Sequence, residues 1–148
     1  MKFTKIFFIT LIFFLSSHIA SYANQGVEEI IKGRKAMFSE NYQNAKKISI
    51  LLKSKKIEEA KPLMKKISDN YLILLDYFPD NTKEGFKTEA LPIIWEDKEN
   101  FNNLMSKASL DMIELTKVIE DSNDIRGILT QLMWSNCKAC HSKYRAEH

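Results

Sequence analysis

Glycine and proline are scarce in this chain, at four and three of 148 residues. Few such residues leave little means of making the tight turns that many-stranded folds need. Strand-like alternation is missing too, and apolar residues recur instead at steps of three and four. Cysteine is limited to Cys137 and Cys140, which excludes a disulfide framework and supplies only half of a four-cysteine zinc site. Neither sign of charge dominates, with 22 basic against 19 acidic residues. No basic stripe marks a nucleic-acid surface. There is no low-complexity segment in the body of the chain, and no internal repeat. No paired carboxylates or nucleophile constellation point to an enzyme, so no enzymatic role is expected.

The chain does contain a leader. Met1-Lys2-Phe3-Thr4-Lys5 is short and basic, Ile6 to Leu15 is almost wholly apolar, and Ser21-Tyr22-Ala23 carries small residues where a signal peptidase needs them. Residues 1–23 therefore read as a secretory signal cleaved after Ala23, with 24–148 a single exported, periplasmic domain. An N-terminal membrane anchor is the alternative, but the apolar run falls short of the roughly 20 residues a span requires. Removing Lys2 and Lys5 brings the charge close to balance. The pairs Lys46-Lys47, Lys55-Lys56 and Lys65-Lys66 read as solvated helix faces, or as a patch that docks an acidic redox partner.

The periodicity predicts four amphipathic helices. The first runs from about Gln25 to Lys53 on a stripe of Val27, Ile30, Ile31, Phe38, Ala45, Ile48 and Leu52. Gly33 inside it costs roughly 1 kcal/mol against alanine, which signals a close neighbour. The second spans about Lys56 to Asp76, with Pro62 awkward near its start. Phe78-Pro79-Asp80-Asn81 ends it and opens a loop of roughly 18 residues, a length that usually has a task. Phe86 and Trp95 in that loop are candidate apolar plugs over one edge of the domain, or simple anchors of a surface connector. The third helix starts around Asp97, a plausible N-cap, and the fourth follows Asp121-Ser122-Asn123-Asp124 to about Arg145. Helices of this length with mostly short connections give an all-α, antiparallel four-helix bundle.

The most specific feature is Cys137-Lys138-Ala139-Cys140-His141. This spacing is the attachment motif of a c-type haem. Thiols at i and i+3 share a helix face and can both reach the vinyl groups of one porphyrin, and the following histidine can bind the iron. Cys137 and Cys140 would tether one haem c, and His141 would be its metal ligand. A dithiol redox site usually lies at a helix N-terminus, where the dipole lowers the thiol pKa; this motif lies near the end of a helical pattern. A haem-free dithiol or metal-binding helical protein is the remaining alternative.

The opposite side of the iron decides what it can do. His18 leaves with the leader, and His148 belongs to the same segment as His141, so bis-histidine ligation is not expected. On a helical wheel Val27 and Ala45 centre the first helix's stripe, with Arg34 about 20° to one side, Phe38 about 20° to the other and Met37 about 80° away. Phe38 is the inward residue and cannot bind iron; Met37 reaches it only if the helix rotates or bulges. Both remain open: a screened distal side that binds small gases such as nitric oxide or carbon monoxide, or a six-coordinate electron carrier ligated by Met37. Met64, Met105, Met112 and Met133 read as core packing. Arg34 is a cation in an apolar stripe and needs a partner, such as a haem propionate, unless it snorkels to the bundle end. Arg145, four residues after His141, would share its helix face and tune the iron, or merely stabilise the helix C-terminus. Asn41 also faces inward, with no assigned partner.

The residues Arg34-Lys35-Ala36-Met37-Phe38, Phe78-Pro79-Asp80, Gly85, Thr88, Ala90, Leu91-Pro92-Ile93-Ile94-Trp95-Glu96-Asp97, Phe101 and Cys137 through Arg145 resemble the cytochrome c prime family, including its low-spin methionine-ligated relatives. The resemblance covers nearly all of 24–148. It implies a monohaem cytochrome that exchanges one electron with redox partner proteins, and in some relatives binds nitric oxide. It also implies that the residue four after the helical arginine faces the distal side. A bulky apolar group there resembles the five-coordinate members, a methionine the low-spin ones, and here Phe38 occupies that place. Relatives often form homodimers through the first and second helices.

Overall fold

The computed structural model describes residues 3–147, and their side chains from Gly26 onward. The leader's side chains, and His148, lie outside that description. The elements are α1 (Phe3–Lys53), α2 (Ile57–Leu74), a short 3-10 turn (Asp80–Thr82), α3 (Ile93–Glu96), α4 (Lys98–Val118), α5 (Ile125–Leu129), a π turn (Thr130–Trp134) and α6 (Ser135–Tyr144). α1, α2, α4 and the α5–α6 run are the four rods of the bundle. α2 packs chiefly on α1 and α4, and α4 packs on α6.

Most helix limits follow the periodicity. α2 runs through Pro62, whose side chain is exposed, so the proline ring meets solvent. Lys55 closes the α1–α2 turn with a positive φ of 58°. Gly33 meets the close neighbour its cost foretold: a Cβ there would lie 2.8 Å from Cε1 of Tyr77. Asp124 caps α5 by accepting from the Gly127 amide at 2.8 Å.

Three local expectations need correction. The fourth helix is not continuous: five π-helical residues, Thr130–Trp134, divide it directly ahead of the cysteine motif. Such a bulge re-aims everything after it and is common at functional sites. Asp97 stands at the N-cap position of α4, but its side chain caps nothing. Its oxygens are committed to Asn100 Nδ2 at 2.6 Å, the Tyr144 hydroxyl at 2.7 Å and Lys143 Nζ. Those bonds tie the start of α4 to the end of α6 and hold the Asp97 carboxyl down at about 2. Finally, Phe86 is half-buried, belongs to neither core cluster and does not line the interior cleft. It sits instead in a run of positive φ, at 89° for Gly85, 49° for Phe86 and 54° for Lys87, a conformation L side chains rarely adopt.

The interior has two apolar clusters. One gathers Ala45, Ile48, Leu52, Met64, Ile67, Met112, Leu115, Ile119 and Met133. The other gathers Leu74, Phe78, Ile94, Phe101, Met105 and Tyr144, with Phe101 stacked edge-on between Phe78 (4.7 Å) and Tyr144 (5.1 Å). The functional cleft lies between them.

Candidate haem cleft

A cleft of about 740 Å³ opens along the bundle interior, within the size range of a cofactor site. Both clusters line it: Ala45, Ile67, Met112 and Met133 from one, Phe78, Ile94, Phe101 and Tyr144 from the other. α1 contributes Arg34, Phe38, Asn41 and Tyr42, and α6 contributes Cys137, Cys140 and His141. The packing of Met112 and Met133 was legible, but not that they wall a cavity. For Met133 a signal existed, since it precedes Cys137 by four residues and shares its helix face.

Cys137 and Cys140 are both half-buried, free thiols on the cleft wall. Cys137 Sγ lies 3.6 Å from the Met133 carbonyl oxygen. Burial pushes both thiols up, Cys140 to about 11. A reactive dithiol needs the opposite shift. Among the described residues no cluster of three His, Cys, Asp or Glu side chains could hold a metal ion. Two half-buried thiols on one wall of the cleft suit thioether attachment. His141 is solvent-exposed and also lines the cleft. Tyr71 also reaches the cleft beside Cys137, and burial drives its phenol far up.

Arg34 is buried, with 2 % of its surface exposed. Its guanidinium does not wait for a propionate. Nη1 donates to the Tyr77 carbonyl (3.2 Å) and Thr82 Oγ1 (2.9 Å), while Nη2 donates to the Thr82 carbonyl (2.9 Å) and Thr88 Oγ1 (2.7 Å). The cation also stacks 4.6 Å above the Phe78 ring. The expectation that an anion must satisfy it is corrected: the loop after α2 supplies its partners. None of those four acceptors is a carboxylate, however, and burial lowers its pKa to about 10. A positive charge therefore still lines the cleft.

The remaining candidates divide. Phe38 lines the cleft, 6.4 Å from Phe78 ring to ring. Met37 packs against the second cluster and does not line the cleft, and α1 is continuous α-helix through this stretch. Trp95 stands behind the wall: its ring lies 6.1 Å from Phe78, and its indole N–H donates to the carbonyls of Phe78 (3.0 Å) and Pro79 (3.1 Å). Arg145 does line the cleft, but not for the reason expected. α6 ends at Tyr144, and Arg145 is extended (φ −118°, ψ 140°), so it shares no helix face with His141. It is held in a short antiparallel bridge to Ala90, with Leu91 N–H donating to the Tyr144 carbonyl (3.0 Å) and Ala146 N–H to the Glu89 carbonyl (2.9 Å). The long loop's task is thus visible: it carries Arg34's acceptors and latches onto the end of α6.

A four-helix bundle with an internal cleft and two thiols on its wall defines a class, the bundle cytochromes that carry covalent haem. The family described as Cytochrome C' matches residues 29–145. A cytochrome c' of Rhodopseudomonas palustris (strain ATCC BAA-98 / CGA009) is 31% identical over 122 residues, covering 80% of this chain and 83% of the relative. The solved cytochrome c' from Rhodopseudomonas palustris is 28% identical, with a TM-score of 0.69 over 80% of this chain and 97% of that one. The cytochrome c' of Thermochromatium tepidum superposes equally well at 22% identity, covering 82% and 97%. This chain belongs to the cytochrome c prime family. It is a monohaem c-type cytochrome, and the Cys137 and Cys140 pair fits the covalent attachment of that one haem.

Proposed function

We propose that this chain is an exported cytochrome whose iron is held by His141 alone, with a screened but vacant distal side. It exchanges single electrons with protein partners and binds small uncharged gases, nitric oxide above all. When bound, the haem supplies a one-electron couple and an iron that accepts diatomic ligands. The polypeptide supplies the rest: Cys137 and Cys140 tether, His141 ligates, Phe38 crowds the opposite side, and the Arg34 and Arg145 charges lie along the cleft. The observation that carries the reading is that Phe38 lines the cleft and Met37 does not. A similarly folded cytochrome c prime from Alcaligenes xylosoxidans, 18% identical, is known as a nitric oxide complex of a variant.

Export after cleavage at Ala23 fits a family match that begins beyond the leader, at residue 29. Exposed Tyr42 and Ile50 on α1 and Leu72 and Ile73 on α2 give a homodimer through those helices an apolar surface. Optical spectra of the oxidised and reduced protein, with and without nitric oxide, test the central reading. A high-spin ferric spectrum and a ferrous form that takes up nitric oxide are expected. A low-spin ferric spectrum with a sulfur-to-iron charge-transfer band would put Met37 on the iron instead.

A further inference from the structure

Asn41 lies three residues beyond Phe38 on α1, a spacing that places both on one helix face, and both line the cleft. It is 5 % exposed. Its Oδ1 accepts from Asn70 Nδ2 at 2.8 Å, while its own Nδ2 is buried without any partner. The orientation of that amide is dictated from outside. Asn70 is fully buried on α2, and the same Nδ2 donates to Glu40 Oε2 at 2.8 Å. An ionised carboxylate only accepts, so the nitrogen of Asn70 must face Glu40. Its two hydrogens are then spent, one on Glu40 and one on Asn41. Asn41 is left with its oxygen toward Asn70 and its N–H₂ turned away. A buried amide donor with no acceptor is costly and asks for an explanation.

We propose that Asn41 is the hydrogen-bond donor of the distal cleft, aimed by Glu40 through Asn70, and that it selects ligands whose outer atom accepts a hydrogen bond. This rests on the haem reading above and adds a specificity to it. Phe38 restricts the size of what binds, and Asn41 grades it by polarity. A diatomic that gains negative charge on its outer atom is held, and release of that ligand is slowed. Asn70 and Glu40 are positioning residues that touch no ligand.

Carbon monoxide on the ferrous holoprotein is the probe, since its stretching frequency falls when a donor approaches the oxygen. In the unmodified protein that frequency should shift on transfer to deuterated water. Asn41→Leu, similar in size, should raise the frequency, abolish the solvent shift and speed release about five-fold, the equivalent of one neutral hydrogen bond. Glu40→Ala, which frees Asn70 to turn, should give a smaller rise in the same direction, and Glu40→Gln, whose Oε1 can accept from Asn70, should restore the original frequency. A frequency unaffected by both deuteration and Asn41→Leu overturns the role of Asn41 while leaving the haem reading intact. A ferrous protein that takes up no carbon monoxide overturns the vacant distal side, and the role of Asn41 with it. The deuteration experiment needs no variant, so a misfolded Asn41→Leu does not protect the proposal.

Discussion

Replacing Arg34 with methionine keeps an unbranched apolar stem and removes the guanidinium with its five donors. Thr82 Oγ1 would still donate to the Pro79 carbonyl (2.8 Å), and Thr88 Oγ1 would still accept from the Ala90 amide (3.2 Å), so neither hydroxyl is orphaned. The carbonyls of Tyr77 and Thr82 lose the bonds Arg34 gives them. A buried group left unpaired costs about 1–3 kcal/mol; Thr82 is fully buried and belongs in the upper half of that range, and the part-buried Tyr77 carbonyl in the lower. Loss of the cation over Phe78 adds about 1 kcal/mol. Desolvation of the guanidinium, which lowers its pKa to about 10, is relieved by the change and returns part of this. The net loss is about 3 kcal/mol, and with a urea slope of about 1.5 kcal/mol per molar the unfolding midpoint should drop by about 2 M. Lysine at 34 keeps one charge but not the forked geometry, and should recover less than half. The loop that Arg34 holds should open to trypsin at Lys83 and Lys87, well below the midpoint. An Arg34→Met holoprotein that unfolds within a few tenths of a molar of the original, with its loop equally resistant, would refute the claim that Arg34 pins the loop.

The double variant Cys137→Ser, Cys140→Ser should give protein from which acidified organic solvent strips all colour, while the parent keeps its haem through the same extraction; retention in the variant would reject the two thiols as the tether. Asp97, held at about 2 by its bonds from Lys143, Tyr144 and Asn100, against an ordinary value of about 3.9, stabilises the fold fully above about pH 5 and progressively less as pH falls toward 2. The urea midpoints of Asp97→Asn and the parent should therefore differ at pH 7 and converge on acidification, and a gap that is constant with pH would count against this link. Phe38→Met should convert part of the ferric spectrum from high to low spin; an unchanged spectrum would mean that position 38 does not face the iron.

Periodicity placed the four rods, the fourth divided by the π turn, and Ile31, Ala45, Ile48, Met64, Met112 and Met133 are all buried where the sequence put them. The cysteine motif was legible because its chemistry is local, with both thiols and His141 inside five consecutive residues. The misreadings at Arg34, Asp97 and Arg145 share a cause: each turned on a partner distant in sequence. Arg34 finds its acceptors 43 to 54 positions away. Asp97 leaves its helix uncapped for Lys143 and Tyr144, 46 and 47 positions on. Arg145 leaves the helical path because the backbone near Ala90 captures it. The π turn itself packs on α4, a partner outside its own run.

One of those distant partnerships bears on the iron. Consecutive helical residues differ by about 100° in direction, so whether Phe38 or Met37 meets the distal side is a question of the phase of α1. That phase is fixed at several points along the helix. Arg34 is gripped by the loop through four hydrogen bonds, and Ile31, Ala45 and Ile48 are buried on the same side. Turning α1 far enough to present Met37 would pull Arg34 from its acceptors and lift three core residues toward water. Each buried aliphatic side chain so exposed costs about 1.5–3 kcal/mol, before the loss at Arg34 is counted. A single iron–sulfur bond would have to offset all of that. On the proposed reading, the loop between α2 and α4 would select the residue that faces the iron, by holding the Arg34 charge one helical turn away.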